Sequence, residues 1–301
     1  MTIDPDMALL FLGFVEARHQ AWENRQNELP APWTDDPIVA TRKFTNVFRV
    51  IDYGSQFVLT DLIDNNIDRD TQLMRLFLYR HTGRVEVWKY LRRELGRYPD
   101  IDDLDDTLEI FQDYRNLVDK PIFTSAYLVY PQSSTPGTDK IESIIDLTWR
   151  LFAEERVVPQ AFFNAETQEE RFAALRRNKG VADFMSMQIL TDWGYTPHCG
   201  EDLEDDFIVA GPGARKGAAY LSPRSKAEDV VGWAVEAIRS LGTVRLPGGR
   251  VPSYMDAQNC LCEFSKYVRY LEKPVPDRTY SPAHPGKHNV VLPKHWRKEP
   301  E

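Results

Sequence analysis

Apolar residues recur along this chain at the 3.6-residue period of an α-helix much more often than in strict alternation. Residues 6–27 place Leu9, Leu10, Phe14 and Ala17 on one side and charges opposite. Within "VATRKFTNVFRVID" (39–52), Val39, Phe44, Val47 and Phe48 stand close to helical spacing, so a helix is expected there too. The stretch "TQLMRLFLYRHTGRVEVWKYLRREL" (71–95) reads as one or two helices. Further helices are predicted at 105–117, 139–154, 167–177, 182–192, 225–241 and 254–271. Two short apolar runs, "AYLVYPQ" (126–132) and "DFIVAG" (206–211), end at turn residues and read as strands. The expected architecture is mainly α: one helical domain over 1–272, then a tail over 273–301 whose prolines forbid a continuous helix. "YPQSSTPGTD" (130–139) is either a linker or a long surface loop.

Composition narrows the class. Hydrophobic residues make up 42% of the chain, enough for a packed core and too many for a disordered one. No apolar run approaches the roughly 20 residues that span a bilayer. The opening "MTIDPDMALLFLGFVEARHQ" lacks the basic flank and cleavage site of a signal peptide. A cytoplasmic protein without a membrane partner is expected. The three cysteines, Cys199, Cys260 and Cys262, form no CxxC pair, so a reduced protein without a metal site is the simple reading. The net charge of −9 argues against nucleic-acid binding by bulk electrostatics, but leaves room for a local basic cleft.

Four segments invite chemical interpretation. The first is "DDFIVAGPGARKG" (205–217). It is not a GxxxxGK[ST] loop, because Lys216 precedes the last glycine, and its glycine spacing does not match GxGxxG. Gly211 and Gly213 in left-handed conformations would let backbone N–H groups converge on an anion, with Arg215 and Lys216 adding charge. The alternative is an ordinary glycine-rich turn. The second segment, "FAALRRNKGVADFMSMQILTD" (172–192), reads as helix, glycine turn at Gly180, helix. That is either a plain helical hairpin or a helix-hairpin-helix that presents N–H groups to a DNA phosphate. Ala182 stands where many such turns have a second glycine.

The third segment is "PAPWTDDPIVATRKFTNVFRVID" (30–52), with Trp33 beside two aspartates and a cap at Thr34 or Asp35. A helix there puts Arg42, Asn46 and Arg49 on one polar face, either solvated or functional. The fourth is "MDAQNCLCEFSKYVRYLEK" (255–273), where Asp256, Asn259, Glu263 and Lys266 form one helical stripe. Glu263 and Lys266 pair at i, i+3, as a surface salt bridge or as the carboxylate and ammonium of a cleft.

Together "FVEARHQAW", "PWTDDPIVATRKFTNVFRVID", "GVADFMSMQILTDWGYT", "DDFIVAGPGARKG" and "QNCLCEFSKY" resemble the DNA base-hypermodification proteins of phages and some bacteria. These are the alpha-glutamyl/putrescinyl thymine pyrophosphorylase-like proteins, with the helical domain named after 5-hydroxymethyl-deoxyuridine DNA kinase. The resemblance implies a DNA-glycosylase-like helical fold with a helix-hairpin-helix. It also implies double-stranded DNA containing modified thymine as partner, and host cytoplasm as the location of a phage-encoded chain. The expected reaction is transfer of a free amino acid or polyamine onto 5-phosphomethyl-deoxyuridine with release of phosphate and no cofactor. The kinase step and a non-catalytic DNA-binding module are the alternatives. Such chemistry needs an exposed base, cations for the phosphate and a base for the nucleophile. Arg215, Lys216 and Arg49, with Asn46, Gly180, Gly211 and Gly213, are the candidate phosphate and DNA contacts. Asp192, Glu263 and Asp36 are candidate bases, Lys266 an orienting cation, and Trp33 a stacking platform.

Overall fold

The computed structural model describes residues 1–124, 139–205, 207–272 and 289–296. Among them are thirteen α-helices and no strand. The first seven are α1 (Pro5–Gln26), α2 (Pro37–Thr41), α3 (Tyr53–Phe57), α4 (Arg69–Thr82), α5 (Val85–Leu95), α6 (Leu104–Asp113) and α7 (Lys140–Trp149). The others are α8 (Val157–Phe163), α9 (Gln168–Arg176), α10 (Asp183–Gly194), α11 (Pro212–Leu221), α12 (Ala227–Leu241) and α13 (Tyr254–Glu272). The mainly α expectation holds. Residues 207–211, expected as a strand, are irregular and lead into α11. The other expected strand, at 126–132, lies outside the described residues, as do most of 130–139 and most of the proline-rich tail.

The chain divides into two compact units. One comprises Met1–Asp52 with Glu204–Leu292, the other Tyr53–Leu203 with Pro293–Glu301. In the first, α13 packs against α11, α12 and α1. The buried face of α1 is Phe11, Phe14, Val15, Arg18, His19 and Trp22. Leu9, expected on that face, is 72% exposed. The true face keeps the 3.6 period only when Arg18 and His19 are counted as inward positions.

The second unit is built around α4, in which every residue from Thr71 to Thr82 is buried. A helix buried on all sides must find partners for its polar groups. Arg75 donates to the carbonyls of Tyr98 (3.0 Å) and Pro99 (2.8 Å). Thr82 accepts from the Trp88 indole (2.7 Å), and Arg80 binds Asp192 of α10. His81 sits neutral in this core, its pKa pushed down to about 4 by burial. The predicted hairpin is present: α9 and α10 pack together, and the turn between them contains Gly180 at φ +102°, a value that favours glycine. No helix among the described residues is long and apolar enough to cross a membrane.

Candidate functional site

The segment after α2 departs from the expected helix, and the departure shapes the site. Asp36 caps α2, its Oδ1 accepting the N–H groups of Ile38 (2.9 Å) and Val39 (2.8 Å). The helix ends at Thr41, and Arg42 is extended at φ −115°, ψ 154°. Beyond it, side chains take the backbone N–H groups that a helix would have used. Thr45 N–H donates to Glu263 (3.3 Å), Asn46 N–H to Asp52 (2.9 Å) and Arg49 N–H to Asp256 (2.7 Å). The carbonyls of Thr45 and Asn46 each accept from Arg18 at 2.7 Å, and that of Asn46 also from Asn259 (3.1 Å). Backbone groups removed from water must be paired, and α1, α13 and Asp52 supply the partners. Arg42, Asn46 and Arg49 therefore do not share a helical face. Arg49 is buried, and the Asn46 amide is engaged by Asp52 (3.0 Å) and the Ile51 carbonyl (3.3 Å).

The stripe expected on α13 is present. Asp256, Asn259 and Glu263 reach residues 49, 46 and 45 in turn. Lys266 closes the row, its Nζ 2.7 Å from one oxygen of Glu263 and 2.8 Å from the other. This is not an ordinary surface pair, because the Glu263 side chain is 4% exposed and that of Lys266 36%. The next residue, Tyr267, donates its hydroxyl to Asp36 Oδ2 at 2.7 Å. Burial, reinforced by that carboxylate, raises the Tyr267 pKa. Asp52 is pushed up to about 6 by burial, against the lowering effect of its bond from Asn46 N–H.

Beside this segment runs a groove lined by Arg18, Trp22, Arg25, Trp33, Arg42 and Phe44, among others. Trp33 is fixed at its edge: the indole N–H donates to the Leu29 carbonyl (2.8 Å), and Asn24 donates to the Trp33 carbonyl (2.8 Å). The Arg25 guanidinium lies 5.8 Å from the Trp33 ring centre. Arg18 is 3% exposed, and its Nη1 has no oxygen or nitrogen acceptor among the described residues. Sequence reasoning missed Arg18, Arg25 and Tyr267. The usable signal was the inward period of α1, on which Arg18 and Trp22 follow Phe14 at steps of four.

The glycine-rich stretch is a helix start, not a loop. Gly211 caps α11, and its N–H donates to Gln258 (2.8 Å). Gly213 and Gly217 lie one turn apart against α13. A Cβ on Gly213 would stand 2.2 Å from Cys262 Sγ, and one on Gly217 1.9 Å from the Leu261 carbonyl oxygen. These two glycines permit close helix approach. The left-handed conformations expected at Gly211 and Gly213 are not found: Gly211 is extended at φ −71°, ψ 167°, and Gly213 is helical. Arg215 and Lys216 are exposed on α11. Asp192 is fully buried in the second unit, in a two-pronged pair with Arg80 Nε and Nη2, the latter at 2.7 Å. Such a pair is a strong, charge-assisted one.

A family model described as "5-hmdU DNA kinase, helical domain" matches residues 6–275. The chain belongs to this family. The match spans both units, and within it lie the groove and the α13 stripe. A protein of Bacillus phage SP10 described as a 5-hmdU DNA kinase is 26% identical over 230 residues. The aligned part is 71% of this chain but only 36% of that relative, so the chain corresponds to about a third of it. No solved structure matches. The resemblance to the thymine hypermodification proteins is thereby borne out.

Proposed function

We propose that the chain acts on DNA containing 5-hydroxymethyl-deoxyuridine, in the phosphorylation of that base. Membership of the 5-hmdU DNA kinase helical-domain family, over nearly the whole length, is the observation that carries this reading. It favours the kinase step over the amine transfer expected first. Phosphorylating a hydroxymethyl oxygen requires a group that accepts its proton and cations that meet the developing charge. Glu263 is the proposed base, with Lys266 as its partner cation, since that carboxylate is buried beside an ammonium that still reaches solvent. Asp36, held by Tyr267, is the second candidate. Arg215 and Lys216, and the turn at Gly180 in a helix-hairpin-helix role, are proposed to meet the DNA backbone. A DNA-glycosylase-like arrangement of the helices belongs to the same proposal. A phage-encoded chain would do this work in the host cytoplasm.

Transfer of an amino acid or polyamine onto 5-phosphomethyl-deoxyuridine is the second reading. The Glu263–Lys266 pair favours it, because it offers both charges that an amino acid's own ends would meet. The test supplies the chain with 5-hydroxymethyluracil DNA and ATP in one tube, and with 5-phosphomethyluracil DNA and glycine in another. Nucleoside mass spectrometry reads both. Phosphate gain in the first tube, cut by about 100-fold or more in Glu263→Gln, is the expected result. An amine adduct in the second tube selects the other reading, and no product in either removes both.

A further inference from the structure

Arg18 of α1 is a buried cation whose bonds go to backbone. Its Nε and Nη2 donate to the Thr45 carbonyl at 3.0 and 2.7 Å, and Nη2 also donates to the Asn46 carbonyl at 2.7 Å. A charged donor makes the stronger kind of hydrogen bond, so this clamp holds two peptide groups firmly. Thr45 is fixed through its side chain as well. Its hydroxyl lies 3.4 Å from Arg18 Nη2 and donates to Asn259 Oδ1 at 3.3 Å. With its carbonyl and side chain both held, the remaining polar group of Thr45 is its N–H, which meets Glu263 Oε2 at 3.3 Å. The two oxygens of Glu263 are thereby made unequal. Oε2 accepts from Thr45 N–H and from Lys266 Nζ at 2.8 Å, whereas Oε1 accepts from Lys266 at 2.7 Å. Each carboxylate oxygen has about two lone-pair sites, so Oε1 keeps one unused.

We propose that Arg18 is a positioning residue for Glu263: by clamping Thr45 it sets the carboxylate with Oε1 as the oxygen that takes the substrate's proton. In that step the hydroxymethyl O–H bond breaks as Oε1–H forms. The electron pair of the hydroxymethyl oxygen goes to the γ-phosphorus of ATP, and ADP leaves. A base must lie within hydrogen-bond reach of its proton, and small misplacements lower the rate steeply. Lys266 cannot set this geometry by itself. Its ammonium is a point charge on a flexible stem, and it lies almost equally close to both oxygens. The Thr45 N–H is the contact that tells them apart, and Arg18 holds the residue that carries it. The proposal rests on the reading that Glu263 is the base, and it names the residue that orients that base.

Two measurements on the whole chain test it. The first needs no turnover: the amide proton resonance of Thr45 in isotope-labelled protein, at a temperature where circular dichroism shows every variant folded. Glu263→Gln replaces a charged acceptor by a neutral one and should move that resonance upfield. Arg18→Lys keeps the charge but loses the two-pronged clamp, and should move it in the same direction. So should Asn259→Ala, which loosens Thr45 from the α13 side. The second measurement is kcat and KM for phosphorylation of 5-hydroxymethyluracil DNA. Arg18→Lys should lower kcat about tenfold or more, with KM for DNA changed less than about twofold. In a Glu263→Gln background the same substitution should lower kcat less than about twofold, because no base is left to position. A Thr45 resonance unmoved in both Arg18→Lys and Asn259→Ala would overturn the assignment, as would equal losses of kcat with and without Glu263. If Arg18→Lys does not fold, Asn259→Ala gives both readings. A parent chain that phosphorylates nothing removes the kinase reading, and the Thr45 resonance then decides the positioning alone.

Discussion

The side chain of Asp256 is fully buried, yet its two oxygens accept backbone N–H bonds from Arg49 (2.7 Å) and Ser253 (3.0 Å). Burial raises its pKa to about 7, Glu204 nearby adds to the rise, and Arg250 opposes it. The folded state therefore holds this proton more tightly than the unfolded chain, whose carboxyl titrates near 3.8. The stability that Asp256 contributes is complete below about pH 4 and is lost as pH rises towards about 7. Asp52, raised to about 6, acts in the same direction. Melting temperature measured from pH 4.5 to 8 should fall less steeply in Asp256→Asn than in the parent, with the variant less stable throughout because its amide N–H meets a backbone N–H. Parallel curves would show that Asp256 is ionised in the fold. Of the candidate residues, the α13 stripe was legible because carboxylate, amide and ammonium recur at one helical spacing. The role of Asp192 was not, because its partner Arg80 lies 112 positions away in sequence.

At the scale of elements, contact between α11 and α13 depends on two glycines, and they should not respond alike. An added methyl at Gly213 meets Cys262 Sγ, the end of a side chain that can rotate away. At Gly217 it meets the Leu261 carbonyl, which is backbone of α13. Gly217→Ala should therefore cost roughly 1–3 kcal/mol or more in urea unfolding, the usual range for overpacking, and Gly213→Ala clearly less. Equal stability of Gly217→Ala and the parent would mean that the helices are not in contact there. The same pair explains why the segment was misread. Gly-x-x-x-Gly suits an anion-binding turn or a helix contact, and only the partner helix decides between them. Long helices such as α4, α5, α12 and α13 were legible, since a sustained 3.6 period has few other meanings. Residues 42–52 kept that apolar spacing without an α-helix, because Glu263, Asp256 and Arg18 from elsewhere in the unit, and Asp52 from within the segment, satisfy their backbone. Likewise the inward face of α1 was hidden by Arg18 and His19, which a polarity pattern assigns to solvent.

For the whole molecule, the net charge of −9 makes DNA binding a matter of local cations set against general repulsion. The surface proposed on α11 offers two exposed cations to phosphates, Arg215 and Lys216. Two contacts give a salt dependence with duplex DNA, a slope of log K against log salt, of about −1.8. Between 50 and 200 mM salt, affinity should then fall by roughly 12-fold, whereas six to ten phosphate contacts give about 10³ to 10⁵. A slope steeper than about −6 would place the DNA on cations elsewhere in the chain. A slope that drops by about 1.8 in Arg215→Gln with Lys216→Gln would assign two phosphate contacts to α11. It would also give those two residues a role that does not depend on the glycines between which they sit.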